Sequence, residues 1–176
     1  MSIAWLFPGQ GSQKVGMAES LIDLPGAKER FEFASEFLGR DLLSICNVEN
    51  DSLEKDLDLN ETINTQPALF VVESLLIDDL RRQGREPSMV AGHSLGEIVA
   101  LYSADVVDIE IALTLLKKRS ELMSSAGGGA MTAVLGFDRS ELIDLVENTE
   151  GVVIANDNSD SQVVLSGSPE AVGNVA

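Results

Sequence analysis

Ser88-Met89-Val90-Ala91-Gly92-His93-Ser94-Leu95-Gly96-Glu97-Ile98-Val99-Ala100-Leu101-Tyr102 decides how this chain is read. An apolar run enters a G-x-S-x-G pentapeptide, Gly92 to Gly96, and a helix-like stretch leaves it. That strand-to-helix placement, more than the bare pattern, marks a nucleophile elbow. So tight a turn strains the backbone of its middle residue and leaves room only for small residues on both sides. The Ser94 hydroxyl is then exposed at the carboxyl end of a sheet, ahead of a helix whose first N–H groups lack partners. Those donors suit an oxygen that is gaining negative charge. A serine alone is a weak nucleophile, so its companions decide the chemistry.

Working outward, residues 3 to 7 read as a buried strand ending at Pro8-Gly9, followed by the glycine-rich loop Gly9-Gln10-Gly11-Ser12-Gln13. Pro25-Gly26 opens a helix with Phe31, Ala34, Phe37 and Leu38 on its apolar positions, stopped by Gly39. A short helix carries Leu42, Leu43 and Cys46, and the acidic stretch from Glu49 to Asn64 mixes a helical turn with surface loop. Thr65-Gln66-Pro67 starts a strong helix that ends at Gly84. Past the pentapeptide, Asp108 caps a helix with Ile111, Leu115, Arg119 and Leu122 at helical spacing.

Gly127-Gly128-Gly129 is the expected boundary, giving domains of 1–128 and 129–176. A strand from Ala130 to Leu135, a helix capped by Asp138, and strands at Val152 to Ala155 and Val163 to Ser166 follow. Ser168-Pro169-Glu170 is a helix start. The order is β-α-β-β-α, one strand short of a β-α-β-β-α-β unit, so the second domain reads as incomplete.

The 176 residues are 44% apolar and 5% aromatic, ordinary for an α/β protein with an aliphatic core. No apolar run reaches the roughly eighteen residues of a membrane span. The amino terminus lacks a basic leader and reads as a first core strand rather than a signal peptide. Cys46 is the only cysteine, so no internal disulfide forms, and a cytoplasmic setting is expected. A formal charge of −17 argues against nucleic-acid or anionic-membrane partners. Arg81-Arg82-Arg85 and Lys117-Lys118-Arg119 are basic clusters at helix ends, where they complement the macrodipole.

Around Ser94 the sequence offers three companions. His93 is the only histidine; neighbouring side chains on so tight a turn diverge, so it reads as packing rather than as the base. Working histidines in hydrolases of this shape follow the serine by many residues, and here none follows. A missing base typically forfeits about 10²–10⁴ in rate. The Gln10 loop lacks the lysine of a P-loop and the spacing of a dinucleotide fingerprint. Placed beside the elbow strand's end, it brings Gln10 near Ser94, where an amide donor joins the Leu95 N–H in an oxyanion hole. Arg119 sits among apolar residues on its helix and needs an anionic partner. That partner is either an internal carboxylate or a substrate carboxylate held by the guanidinium fork, and spacing alone leaves both open.

Phe7-Pro8-Gly9-Gln10-Gly11-Ser12-Gln13, Thr65-Gln66-Pro67-Ala68-Leu69, Gly92-His93-Ser94-Leu95-Gly96-Glu97 and Arg119, in that order, resemble the malonyl-CoA:acyl carrier protein transacylases of fatty-acid synthesis. Gly129-Ala130-Met131 and Asn156-Asp157-Asn158-Ser159 with Gln162-Val163-Val164 extend the resemblance into the second domain. It implies an α/β fold, with an α/β-hydrolase-like core of parallel sheet and nucleophile elbow and an incomplete ferredoxin-like α+β subdomain.

The resemblance further implies an S-malonyltransferase. Ser94 is the catalytic residue, Gln10 and Leu95 form the oxyanion hole, and Arg119 grips the malonyl carboxylate. Met131 and Asn156 line the pocket. Malonyl-CoA and acyl carrier protein are the partners, and neither a metal nor a cofactor is required. The family's general-base histidine would lie about a hundred residues beyond the serine, past Ala176, so the chain reads as an amino-terminal portion with little activity of its own. Asp105 stands where the family usually has a glycine, and Asp157 and Asp160 stand where it commonly has an aromatic residue and a proline. The alternatives are an acyltransferase of polyketide synthesis, a non-catalytic fragment that binds coenzyme A or carrier protein, and a plain esterase, which Arg119 disfavours. An acidic carrier protein would be repelled by this chain at long range, leaving Arg81-Arg82-Arg85 as the local docking candidate.

Overall fold

The computed structural model describes residues 2–47 and 57–176, so residues 49 to 56 of the acidic stretch lie outside the described residues. The chain divides into two compact units, Met1–Ser125 and Ala126–Ala176. Each has its own apolar core.

In the first unit, strand β1 (Ala4–Phe7) pairs in parallel with β2 (Met89–Gly92), with Phe7 opposite Gly92. Parallel neighbours need a long crossover, here supplied by helices α1 (Ala27–Leu38), α2 (Leu42–Asn47) and α3 (Thr62–Arg82). Before α1, residues 15–24 wind through successive turns, with Leu21 N–H donating to Ala18 O and Leu24 N–H to Leu21 O. This buries Ala18 and Leu21 without a regular helix. Helices α4 (Leu95–Ser103) and α5 (Ile109–Ser125) complete the unit. The Asp108 carboxylate accepts from Ile111 N–H at 2.8 Å, as its capping position predicts.

Helix α3 starts three residues before the expected Thr65 and carries Pro67 inside it. Polar side chains fold the entry back on itself. Thr65 Oγ1 donates to Leu59 O at 2.6 Å, and Asn64 Nδ2 donates to Asp58 O at 2.9 Å. The helix is then buried without interruption from Asn64 to Leu75. A network ties it to its neighbours: Arg30 donates to Ser74 and Tyr102 and forms an ion pair with Asp78 at 2.6 Å.

The second unit is an antiparallel sheet of β3 (Ala130–Leu135), β4 (Val152–Ser159) and β5 (Gln162–Gly167), ordered β3-β5-β4. Helices α6 (Arg139–Glu147) and α7 (Pro169–Val175) pack with it around Leu142, Leu165 and Val172. Their caps are the predicted ones: Asp138 accepts from Glu141 N–H at 3.0 Å and Ser168 from Ala171 N–H at 3.2 Å. Strand β4 runs four residues past the expected Ala155. Its polar end, Asn156 to Ser159, stays paired with β5 through irregularities at Ile154/Asn156 and Asp157/Ser159. Asp157, on the family's aromatic position, is ion-paired with Arg139, which holds its carboxyl below the usual carboxylate range.

Candidate active site

The turn between β2 and α4 is fixed by backbone contact. His93 N–H donates to Phe7 O at 3.0 Å, extending the β1–β2 ladder by one bond. A Cβ on Gly92 would overlap the Gly96 carbonyl, and one on Gly96 would overlap the Phe7 carbonyl. Both glycines are therefore required by packing. Between them Ser94 adopts φ 56° and ψ −108°, one of two non-glycine residues with positive φ among the described residues. Such a conformation costs on the order of 1–3 kcal/mol and persists only where surroundings impose it. The Ser94 side chain is exposed, and α4 begins at the next residue with Leu95, whose N–H has no partner within the helix.

Gly9 closes one side of the site. A Cβ there would lie 2.7 Å from His93 O and 3.5 Å from Ser94 Cβ, so the loop after β1 lies directly against the turn. The next residue, Gln10, turns its side-chain amide to Thr62 Oγ1 at 3.1 Å. Among the described residues its main-chain N–H makes no hydrogen bond and remains the donor on offer. His93 makes no hydrogen bond to Ser94; its ring lies against Gly9.

Arg119, on α5, reaches the serine. Its Nη2 donates to Ser94 Oγ at 2.7 Å, while its Nη1 is buried and has no acceptor among the described residues. Among the described residues no carboxylate forms an ion pair with it. Its neighbours differ from expectation. Ile111, Leu115 and Leu122 are 49%, 43% and 56% exposed, and α5 packs instead through Ala112, Leu113, Leu116 and Ser120. The buried face of the helix is thus turned about one position from the predicted one. Lys117 lies over the Phe37 ring at 5.7 Å, and Lys118 is exposed.

Other sequence candidates are placed as follows. Met131 lies on β3, 63% exposed, and half-buried Asn156 lies on β4 beside its irregularity; both belong to the second unit. Asp105 has φ 56°, the left-handed conformation that favours glycine. Arg81 holds its carboxylate through two contacts at 3.2 Å and also pairs with Glu86. Arg82 pairs with Asp79. Of the proposed docking cluster, Arg81 and Arg82 are thus already engaged. The sequence reading missed Glu73: it is 7% exposed, both its carboxylate oxygens lack hydrogen-bond partners among the described residues, and burial pushes it up to about 8. The available signal was its isolation, as the only charge between Thr62 and Ile77.

The family model of the acyl transferase domain matches residues 4–176. The chain belongs to the acyl transferase domain family. A malonyl CoA-acyl carrier protein transacylase of Synechocystis is 49% identical over 173 residues, covering 98% of this acyl transferase domain chain and 57% of the relative. The crystal structure of the Synechocystis enzyme superimposes with a TM-score of 0.92 at 46% identity, over 99% of this chain and 58% of that one. A malonyl-transacylase solved in complex with a type II polyketide acyl-carrier protein gives 0.88 at 36% identity, over 99% and 58% respectively. The fold is thus an α/β fold with a parallel sheet. The chain spans somewhat over half the length of these relatives.

Proposed function

We propose that this chain is the acyl-holding half of a malonyl-CoA:acyl carrier protein transacylase. The observation that carries the reading is the Arg119 guanidinium, one nitrogen on Ser94 Oγ and the other buried without an acceptor. A guanidinium fork with an empty prong beside a nucleophile suits an acyl group that ends in a carboxylate. A neutral acetyl group would leave that prong unpaired, which is how a polar site discriminates.

The strand, strained serine and helix act as a nucleophile elbow in this reading. Ser94 Oγ attacks the thioester carbonyl of malonyl-CoA, its proton passing to a base. The tetrahedral oxyanion is met by the Leu95 and Gln10 main-chain N–H groups, each worth on the order of 10²–10³ in rate. The C–S bond then breaks, and coenzyme A leaves as the thiol once protonated. The phosphopantetheine thiol of an acyl carrier protein repeats the attack on the ester and takes the malonyl group, regenerating Ser94. No cofactor or metal enters these steps.

The base is not His93, whose ring lies against Gly9; it is supplied by a group outside residues 1–176, and the chain alone turns over little. The second unit, which carries Met131 and Asn156, is a ferredoxin-like subdomain, a reading supported by its β-α-β-β-α order and β3-β5-β4 sheet. A cytoplasmic location and fatty-acid synthesis complete the reading. No helix among the described residues is long and apolar enough to cross a membrane. Incubation with malonyl-CoA should add one malonyl ester per chain, seen by intact-mass spectrometry and mapped to Ser94. Acylation that survives Ser94→Ala would refute the assignment.

A further inference from the structure

The loop that carries the Gln10 N–H is loose by composition. Glycine flanks Gln10 on both sides, and Gly11 holds φ 108° with open space where a Cβ would be. A Gly-Gln-Gly backbone has wide conformational freedom. An oxyanion donor, in contrast, is effective only when it is fixed before charge develops. Contacts from outside the loop must therefore hold it.

Two side-chain amides make those contacts. Gln10 Nε2 donates to Thr62 Oγ1 at 3.1 Å, and Gln13 Nε2 donates to Asn60 Oδ1 at 3.0 Å. The other end of the Gln13 amide closes the loop on itself, its Oε1 accepting from Gly11 N–H at 2.7 Å. A main-chain N–H can only donate, so Oε1 faces Gly11 and Nε2 is left for Asn60. Ser12 adds an internal tie, its Oγ donating to Gly9 O at 2.9 Å.

The anchor itself is firm. Thr62 is the first residue of α3, and Asn60 N–H donates to Asp58 Oδ1 at 2.8 Å. The carbonyls of Asp58 and Leu59 are in turn held by the Asn64 and Thr65 side chains. Leu59, Asn64 and Thr65 are all buried. The ties thus run from the buried part of α3 to the main chain beside the serine turn. The three amide contacts are exposed, where a hydrogen bond adds only modestly to stability. What they supply is placement.

We propose that Gln13, Asn60 and Thr62 are positioning residues of the oxyanion hole, which hold the Gln10 N–H where charge develops on the thioester oxygen. They act through the loop backbone. The Thr62 contact also engages the Gln10 side-chain amide, leaving the main-chain N–H as the donor. The proposal rests on the reading of Ser94 as the residue that accepts the acyl group.

The test follows Ser94 acylation by intact mass over a range of malonyl-CoA concentrations, and the order parameter of the Gln10 amide by NMR relaxation. That amide should be rigid in the unsubstituted chain, near about 0.85, and should fall below about 0.6 in Gln13→Ala. The maximal acylation rate should drop by about tenfold or more with the half-saturating concentration changed less than about twofold, since a misplacement of about 1 Å costs on the order of 10²-fold. Thr62→Val should slow acylation in the same manner, and Thr62→Ser, which keeps the hydroxyl, should recover most of the rate. Gln13→Ala that acylates at the unsubstituted rate, or a slowed variant whose Gln10 amide stays rigid, would overturn the proposal. So would Thr62→Ser as slow as Thr62→Val. An unsubstituted chain whose Ser94 takes no malonyl group would instead remove the acyl-transfer reading, and the proposal with it.

Discussion

The two sheets of this molecule are built by opposite rules. In the first unit, two strands of four residues lie in parallel, joined by the whole run of α1 to α3. In the second, three longer strands lie antiparallel, and β4 and β5 are joined by a two-residue turn. The small parallel sheet is the demanding one. Its ladder exists to bring the ends of β1 and β2 together, where Gly9, Gly92 and Gly96 touch backbone and Ser94 is forced to a positive φ. The antiparallel sheet makes fewer such demands and relaxes through irregularities in β4. Concentrated function thus goes with concentrated constraint.

That contrast can be broken by substitution. Gly92→Ala drives a methyl group into the Gly96 carbonyl, with only backbone to give way. It should destabilise the first unit by about 3 kcal/mol or more and abolish Ser94 acylation, measured by urea unfolding and intact mass. A loss below 1 kcal/mol would show that the turn is looser than its geometry indicates.

A smaller effect comes from Glu73. Its folded value of about 8 lies above the ordinary 4.5. The folded state therefore keeps a proton that the unfolded state has released, and stability falls as pH rises from about 4.5 to about 8. Below that window the acid is neutral in both states and there is no penalty. Glu73→Gln should flatten the fall, seen as a pH-independent Tm difference above pH 8. A fall of equal size in the variant would assign it to other groups.

The smallest effect belongs to the second unit. Gly173 lies inside α7, with open space where a Cβ would be. Gly173→Ala should stabilise that helix by about 0.5–1 kcal/mol, in contrast to the loss at Gly92. Destabilisation would mean that the glycine serves a contact the helix itself does not show.

Much of this was legible in the sequence because its signals were local. The G-x-S-x-G turn, the Asp108, Asp138 and Ser168 caps and the glycine stops each depend on a few neighbouring residues. What escaped depended on tertiary contact. The entry of α3 moved because Asn64 and Thr65 bind the preceding backbone. The face of α5 rotated because tertiary packing buries Ala112, Leu113, Leu116 and Ser120 and leaves Ile111, Leu115 and Leu122 exposed. Asp105 keeps a left-handed φ and pairs with Arg81, distant in sequence. At the site, the sequence pointed to Ser94, Gln10 and Arg119, but periodicity put Arg119 among residues that prove exposed. Glu73 was missed because a single charged residue in a helical pattern is ordinarily a solvated one.

The central claim is that Arg119 selects an acyl group ending in a carboxylate and offers it to Ser94. The direct measurement is the initial rate of Ser94 acylation by malonyl-CoA and by acetyl-CoA, in this chain and in Arg119→Ala, followed by intact mass. The account predicts that malonyl-CoA is preferred by at least about tenfold, and that the substitution removes the preference by slowing malonyl transfer, as expected when a charge-assisted contact worth about 1.5–3 kcal/mol is lost. An Arg119→Ala chain that still prefers malonyl-CoA to the same degree would contradict it.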